Sequence, residues 1–141
     1  METNITEDRI AMNMINSFLG RMHLASHLDF FNEGQLSLVR EGVAYYNKLT
    51  AEKKVALPYF PNGFSRWGAE SVVAGFETPT TIYLAVWGLK TDRVKINVST
   101  ELEKVKIAYP SSSTAKLVFE NGELMVVFEN SQSAVFLEIL K

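Results

Sequence analysis

Polar and apolar positions change rhythm near residue 53. Ahead of it, apolar side chains recur at helical spacing: Ile10, Met14, Phe18 and Met22, with Ile15 and Leu19 widening the stripe. Thr6 followed by Glu7 and Asp8 offers a hydroxyl cap and early acids to the free N–H groups of a helix start. The spacing predicts a first helix from Thr6 to His23. A second is predicted from Glu33 to Leu49, where Leu36, Val39, Val43 and Tyr46 fall at spacings of three and four. Asn32 stands at its N-cap with Gln35 three positions on, a variant of the capping box. Gly42 inside this helix costs roughly 1 kcal/mol against alanine and is read as a close packing contact.

After Lys54 the pattern becomes that of strands. Tyr59 to Phe64 is turn chemistry, with Pro61 setting one dihedral and Asn62-Gly63 tolerating positive φ. Ser71 to Phe76 and Thr81 to Leu89 are predicted strands. The second is apolar on both faces, as a strand between two layers should be. Val94 to Val98 alternates and predicts one wet face, and Lys104 to Tyr109 ends at Pro110. Asn121-Gly122 between β-rich runs is a two-residue hairpin signal that puts Leu117, Phe119, Leu124, Val126 and Phe128 on one face. Ser133 to Leu140 closes the chain. The predicted fold is α+β, mainly β: a helical segment of two helices (1–52), then an antiparallel β-sandwich (53–141). No internal repeat, heptad run or low-complexity tract interrupts it.

Composition narrows the function classes. At 141 residues and 47% apolar, the chain fills one core, or one core with a helical appendage. A net charge of -2, with acids and bases dispersed, argues against a nucleic-acid partner. The absence of cysteine removes disulfides, thiolate metal sites and thiol nucleophiles, and fits a reducing compartment. The polar start METNITEDRI is unlike a signal peptide, and no apolar run reaches membrane-spanning length, so a soluble cytoplasmic chain with no membrane partner is expected.

Candidate chemistry is sparse. Both histidines lie in His23-Leu24-Ala25-Ser26-His27, a spacing that puts two imidazoles on one helix face. The general base of a zincin helix would stand where Leu24 is, and no other histidine exists as a third ligand, so a structural role is expected and no metal. A glycosidase needs two acids about 5 to 9 Å apart across a sugar, and nothing marks a cleft around Asp29, Glu33, Glu41, Glu70, Glu77 or Asp92. Neither a nucleophile elbow nor a phosphate-binding glycine loop occurs, so no catalytic residue and no cofactor is expected. Tyr59, Phe60, Phe64 and Trp67 cluster around the Pro-Asn-Gly turn. Their rings suit either packing or stacking on a sugar, with Tyr59, Phe60 and Trp67 as the candidate platform.

The segments Leu19 to Ala25, Val39 to Tyr46, Ala56 to Tyr59 and Tyr83 to Trp87, in that order, resemble the C-terminal end of bacterial α-galactosidases of glycoside hydrolase family 36. The similarity runs over almost the whole chain. It implies that the first helix is the last helix of a (β/α)8 barrel and that the strands form the sandwich behind it. The catalytic aspartates of that family lie upstream, and no position here matches either. The resemblance therefore implies a non-catalytic fragment of a carbohydrate-metabolising hydrolase, stabilising the barrel of its parent. His23 to His27 would sit at the helix end far from the active face, roughly 25 Å away. The Ile10, Met14 and Phe18 face would meet the barrel, or else be hidden by self-association or by folding back onto the sandwich. The alternatives are a stand-alone module that binds galactosides through its aromatics, or one that binds a polypeptide through the apolar helix.

Overall fold

The structure, a computed structural model, describes residues 6–22 and 28–141. Among them are two helices, α1 (Glu7–Phe18) and α2 (Glu33–Lys53), followed by eight strands. The strands are β1 (Leu57–Tyr59), β2 (Ser71–Glu77), β3 (Thr81–Gly88), β4 (Arg93–Ile96), β5 (Val105–Tyr109), β6 (Lys116–Glu120), β7 (Glu123–Val127) and β8 (Ser133–Leu140). They pair antiparallel in two sheets, ordered β1-β2-β3-β8-β5 and β4-β7-β6.

The larger sheet is the middle of three layers. Along β8, Ala134 and Phe136 face the helices, while Val135, Leu137 and Ile139 face the smaller sheet. Alternation along β3 does the same with Tyr83 and Ala85 on one side and Leu84 and Val86 on the other. Both strands are buried on two faces, which explains the unbroken apolar run at residues 81–89. Each large aliphatic side chain closed away here contributes about 1.5–3 kcal/mol.

Local chemistry sets the helix ends. Arg9 N donates to Thr6 Oγ1 at 3.2 Å, capping α1. In α2 the capping box is complete: Gln35 N donates to Asn32 Oδ1 at 2.8 Å and Asn32 N to Gln35 Oε1 at 2.9 Å. Helix α1 stops at Phe18, short of the expected His23. Leu19 N and Gly20 N close a tight last turn on Asn16 O and Ser17 O, and Lys53 Nζ takes the Gly20 carbonyl at 2.9 Å. Helix α2 runs on to Lys53, past the expected Leu49, and its buried positions are Gln35, Leu38, Val39, Gly42 and Leu49. Leu36, Val43 and Tyr46 flank that face, half-buried. Gly42 is indeed a contact point: a Cβ there would run into the Met14 side chain.

The apolar face of α1 is closed inside the chain. Ile10, Ala11, Met14, Ile15 and Phe18 share one cluster with Leu38, Val39, Phe76, Tyr83, Tyr109 and Phe136. Of the ways expected for hiding Ile10, Met14 and Phe18, folding back onto the sandwich is the arrangement seen. The phenyl of Phe18 meets Tyr45, Tyr109 and Phe136 edge-on, with centroids 5.2, 5.1 and 5.3 Å away.

The strand readings hold with two changes. Leu57–Tyr59, expected to lead into a turn, is an edge strand paired with Gly75–Glu77. The alternating run at residues 94–98 pairs only as far as Ile96. The hairpin has Leu117 opposite Val126 and Phe119 opposite Leu124, with Asn121 and Gly122 at φ of 53° and 79°.

Candidate functional site

Val55, Leu57, Phe60, Phe64 and Trp67 are all exposed, within the stretch that leaves α2, forms β1 and crosses to β2. Edge strand β1 starts it, and Pro58 withholds a donor there, which keeps the strand short. Beyond β1 the loop is pinned at both ends. The Asn62 amide donates from Nδ2 to Lys95 O at 2.7 Å and accepts from Asn97 N at 2.8 Å, so a side chain completes the edge of β4. At the other end Leu89 N and Lys90 N donate to Glu70 O, both at 2.9 Å. Gly63 and Gly68, at φ of 76° and 79°, bracket the projecting segment, conformations that a side chain would strain. Phe64 is 85% exposed and Trp67 fully so, on an arm whose base is fixed.

The sugar-platform residues do not form one surface. Tyr59 packs half-buried against the core between the two sheets. Burial first, and then Glu77, pushes its hydroxyl above the ordinary tyrosine value, against a smaller lowering by Lys141. Phe60 lies on the other side of the strand, where it tilts against Phe64 at 4.8 Å and lines a groove of about 330 Å³ with Leu19, Pro58, Ala74 and Phe76.

A second constellation escaped the sequence reading. Glu138 lies on β8, buried beneath α2, and accepts from Tyr45 Oη at 2.5 Å. Lys106 Nζ lies 3.0 Å from the carboxylate and Lys48 Nζ 3.9 Å. Burial alone would raise the carboxyl; the hydrogen bonds from Tyr45 and Lys106, with the charges of Lys106 and Lys48, outweigh it and hold the group below its ordinary value. Burial, and then that same carboxylate, drives the Tyr45 hydroxyl far up. With its donors on α2 and β5, this carboxylate ties the helical layer to the sheet and has no open face for a substrate. A lone acid in the apolar run SAVFLEIL was the signal that could have found it.

The other acids are dispersed. Glu33 pairs with Arg40 at 3.6 Å, Glu77 with Lys141 at 3.1 Å, and Glu41 accepts from Ser111 N at 2.6 Å. A polar cleft of about 190 Å³ opens at the start of α1, lined by Glu7, Asp8, Ser113, Thr114 and Glu129. His23 and His27 lie outside the described residues; among the described residues no group of three or more acids and imidazoles is placed to hold a metal ion.

No known protein family, curated protein or solved structure matches the chain. Among the described residues no helix is long and apolar enough to cross a membrane.

Proposed function

We propose that the chain is the non-catalytic C-terminal module of an α-galactosidase-like glycoside hydrolase, whose task is to cover and stabilise the catalytic barrel. The observation that carries this is the order and attachment of the layers. A helix pair comes first and a sandwich follows, the order of parts that the family 36 resemblance implies, and a common core joins the two. The cysteine-free composition supports a cytoplasmic setting.

The burial of Ile10, Met14 and Phe18 moves the barrel contact elsewhere on the first helix. Its outward side carries Met12, Asn13 and Asn16 beside Val72, Trp87 and Leu89, around an open groove of about 330 Å³. Trp87 is half-buried there, with its Nε1 donating to Met12 O at a long 3.5 Å. In this reading a barrel lies against this side, next to the Leu89–Glu70 contact that anchors the far end of the arm.

The test is turnover of a chromogenic α-galactoside. The isolated chain is expected to show none, and a family 36 barrel lacking its own C-terminal region is expected to keep its activity longer on warming when the chain is added. Turnover that copurifies with the chain at constant specific activity contradicts the proposal.

A further inference from the structure

A sheet that does not close on itself leaves unpaired N–H and C=O groups along each edge, and the described residues form four such edges. Three are blocked. Pro58 lies in β1, the Asn62 side chain occupies the edge of β4, and β5 shifts register between Ile107 and Tyr109 before it ends at Pro110. The fourth edge is β6, a regular five-residue strand without proline or bulge.

The Asn121-Gly122 turn decides which groups of β6 face outward. In a two-residue hairpin the residues that flank the turn, here Glu120 and Glu123, exchange hydrogen bonds. By alternation Val118 with Met125 and Lys116 with Val127 are the next such pairs. The N–H and C=O of Leu117 and Phe119 therefore point away from β7. The 3-10 turn Leu102–Lys104 lies beside the strand, yet among the described residues no hydrogen bond from outside the hairpin reaches those groups. The side chains divide in the same alternation: Leu117 and Phe119 pack against the core between the sheets, and Lys116, Val118 and Glu120 are exposed.

We infer that a second copy of this chain pairs antiparallel with β6 across a two-fold axis at Val118. The strand Lys-Leu-Val-Phe-Glu is complementary to itself about its centre. In that register Lys116 of each copy faces Glu120 of the other, and Val118 faces Val118. Leu117 faces Phe119, exchanging both N–H···O bonds through the groups that β7 leaves free. An axis at Leu117 would set Lys116 against Val118, and one at Phe119 would set Glu120 against Val118, so charge selects the central register. The strand is already ordered by β7, which leaves little ordering to oppose association. Pairing uses up the open edge, so assembly stops at two copies. The smaller sheet lies on the far side of the larger one from the helices, so this interface stands independently of the barrel proposal.

Sedimentation velocity over a concentration series tests it. The wild type is expected to pass from monomer to dimer and no further. Lys116→Glu and Glu120→Lys each set like charges against one another at both ends of the pairing, and each is expected to weaken the dimer roughly 10-fold or more. Both side chains are exposed, so the monomer is expected to keep its far-ultraviolet circular dichroism. Mixing the two variants restores every opposite-charge pair, and the mixture is expected to regain wild-type strength. Because the chain has no cysteine, Val118→Cys gives a second readout: mild oxidation is expected to link two copies, and far less so in Lys116→Cys. A wild type that stays monomeric throughout the series overturns the inference. So does a dimer that neither reversal weakens, a mixture no stronger than its components, or oxidation that links both cysteine variants equally.

Discussion

Phe18 on α1 and Phe136 on β8 meet edge to face, 5.3 Å between ring centroids, both fully buried. This contact joins the helical segment to the sandwich. Phe18→Ala would remove a fully buried ring that also touches Tyr45 and Tyr109, leaving a cavity in the core. The expected loss is about 3–5 kcal/mol, a large share of a small domain's stability. Urea unfolding followed by fluorescence and by far-ultraviolet circular dichroism checks it. Helix and sheet signals are expected to be lost together in the wild type; separate transitions would mean that the two layers fold independently.

The Glu138 cluster gives the protein a pH dependence of known sign. The folded carboxyl lies below its unfolded value, so its stabilisation is present above the ordinary carboxylate range and is lost as pH falls through the folded value. Tyr45 acts in the opposite sense. Its folded value is raised, so its contribution is present below the ordinary tyrosine value and is lost as pH rises beyond it. Glu138→Gln is expected to flatten the fall in urea midpoint between neutrality and about pH 4, and Tyr45→Phe to flatten the alkaline fall. An unchanged acid slope in Glu138→Gln would show that other carboxylates set it.

Gly42→Ala makes a second test of the helix layer. Propensity favours the alanine by roughly 1 kcal/mol, but the new methyl would collide with Met14 across the α1–α2 contact. The nearest atom is the terminal methyl of Met14, the far end of a flexible side chain that can shift, so the two effects are expected nearly to cancel and the thermal midpoint to change little. A clear fall in midpoint that Met14→Ala relieves would show that Met14 has no room to move.

Asn62→Ala should release the arm without disturbing the core. It removes two hydrogen bonds at the edge of β4, worth about 1–2 kcal/mol together. Hydrogen exchange is expected to quicken at the Asn97 amide while the amides of β8 stay protected. Faster exchange throughout the smaller sheet would mean that Asn62 holds more than the loop.

Much of this architecture was legible in residue order. The Asn121-Gly122 hairpin, the Asn32–Gln35 cap and the doubly apolar β3 each carry a local signal strong enough to survive tertiary context. Helix ends were less legible. The apolar stripe continues through Leu19 and Met22, but α1 closes at Phe18, where Lys53, distant in sequence, takes the Gly20 carbonyl. Spacing picked out Leu36, Val39, Val43 and Tyr46 on α2; Val39 is buried and Val43 and Tyr46 pack half-buried against the core, whereas Leu38 and Leu49, buried as well, fell outside that reading. Function was hardest to read. Asn62 looked like ordinary turn chemistry, and only the fold brings it beside Lys95 and Asn97. The cluster of aromatics at residues 59–67 was visible; that Tyr59 and Phe60 part to opposite sides of an edge strand was not.

The most direct measurement is the thermal midpoint of a family 36 barrel that lacks its own C-terminal region, titrated with this chain. The midpoint is expected to rise and then saturate at one chain per barrel. With Asn13→Arg or Asn16→Arg on the outward side of α1 the rise is expected to disappear. A midpoint that stays flat at saturating wild-type chain would contradict the role proposed for it.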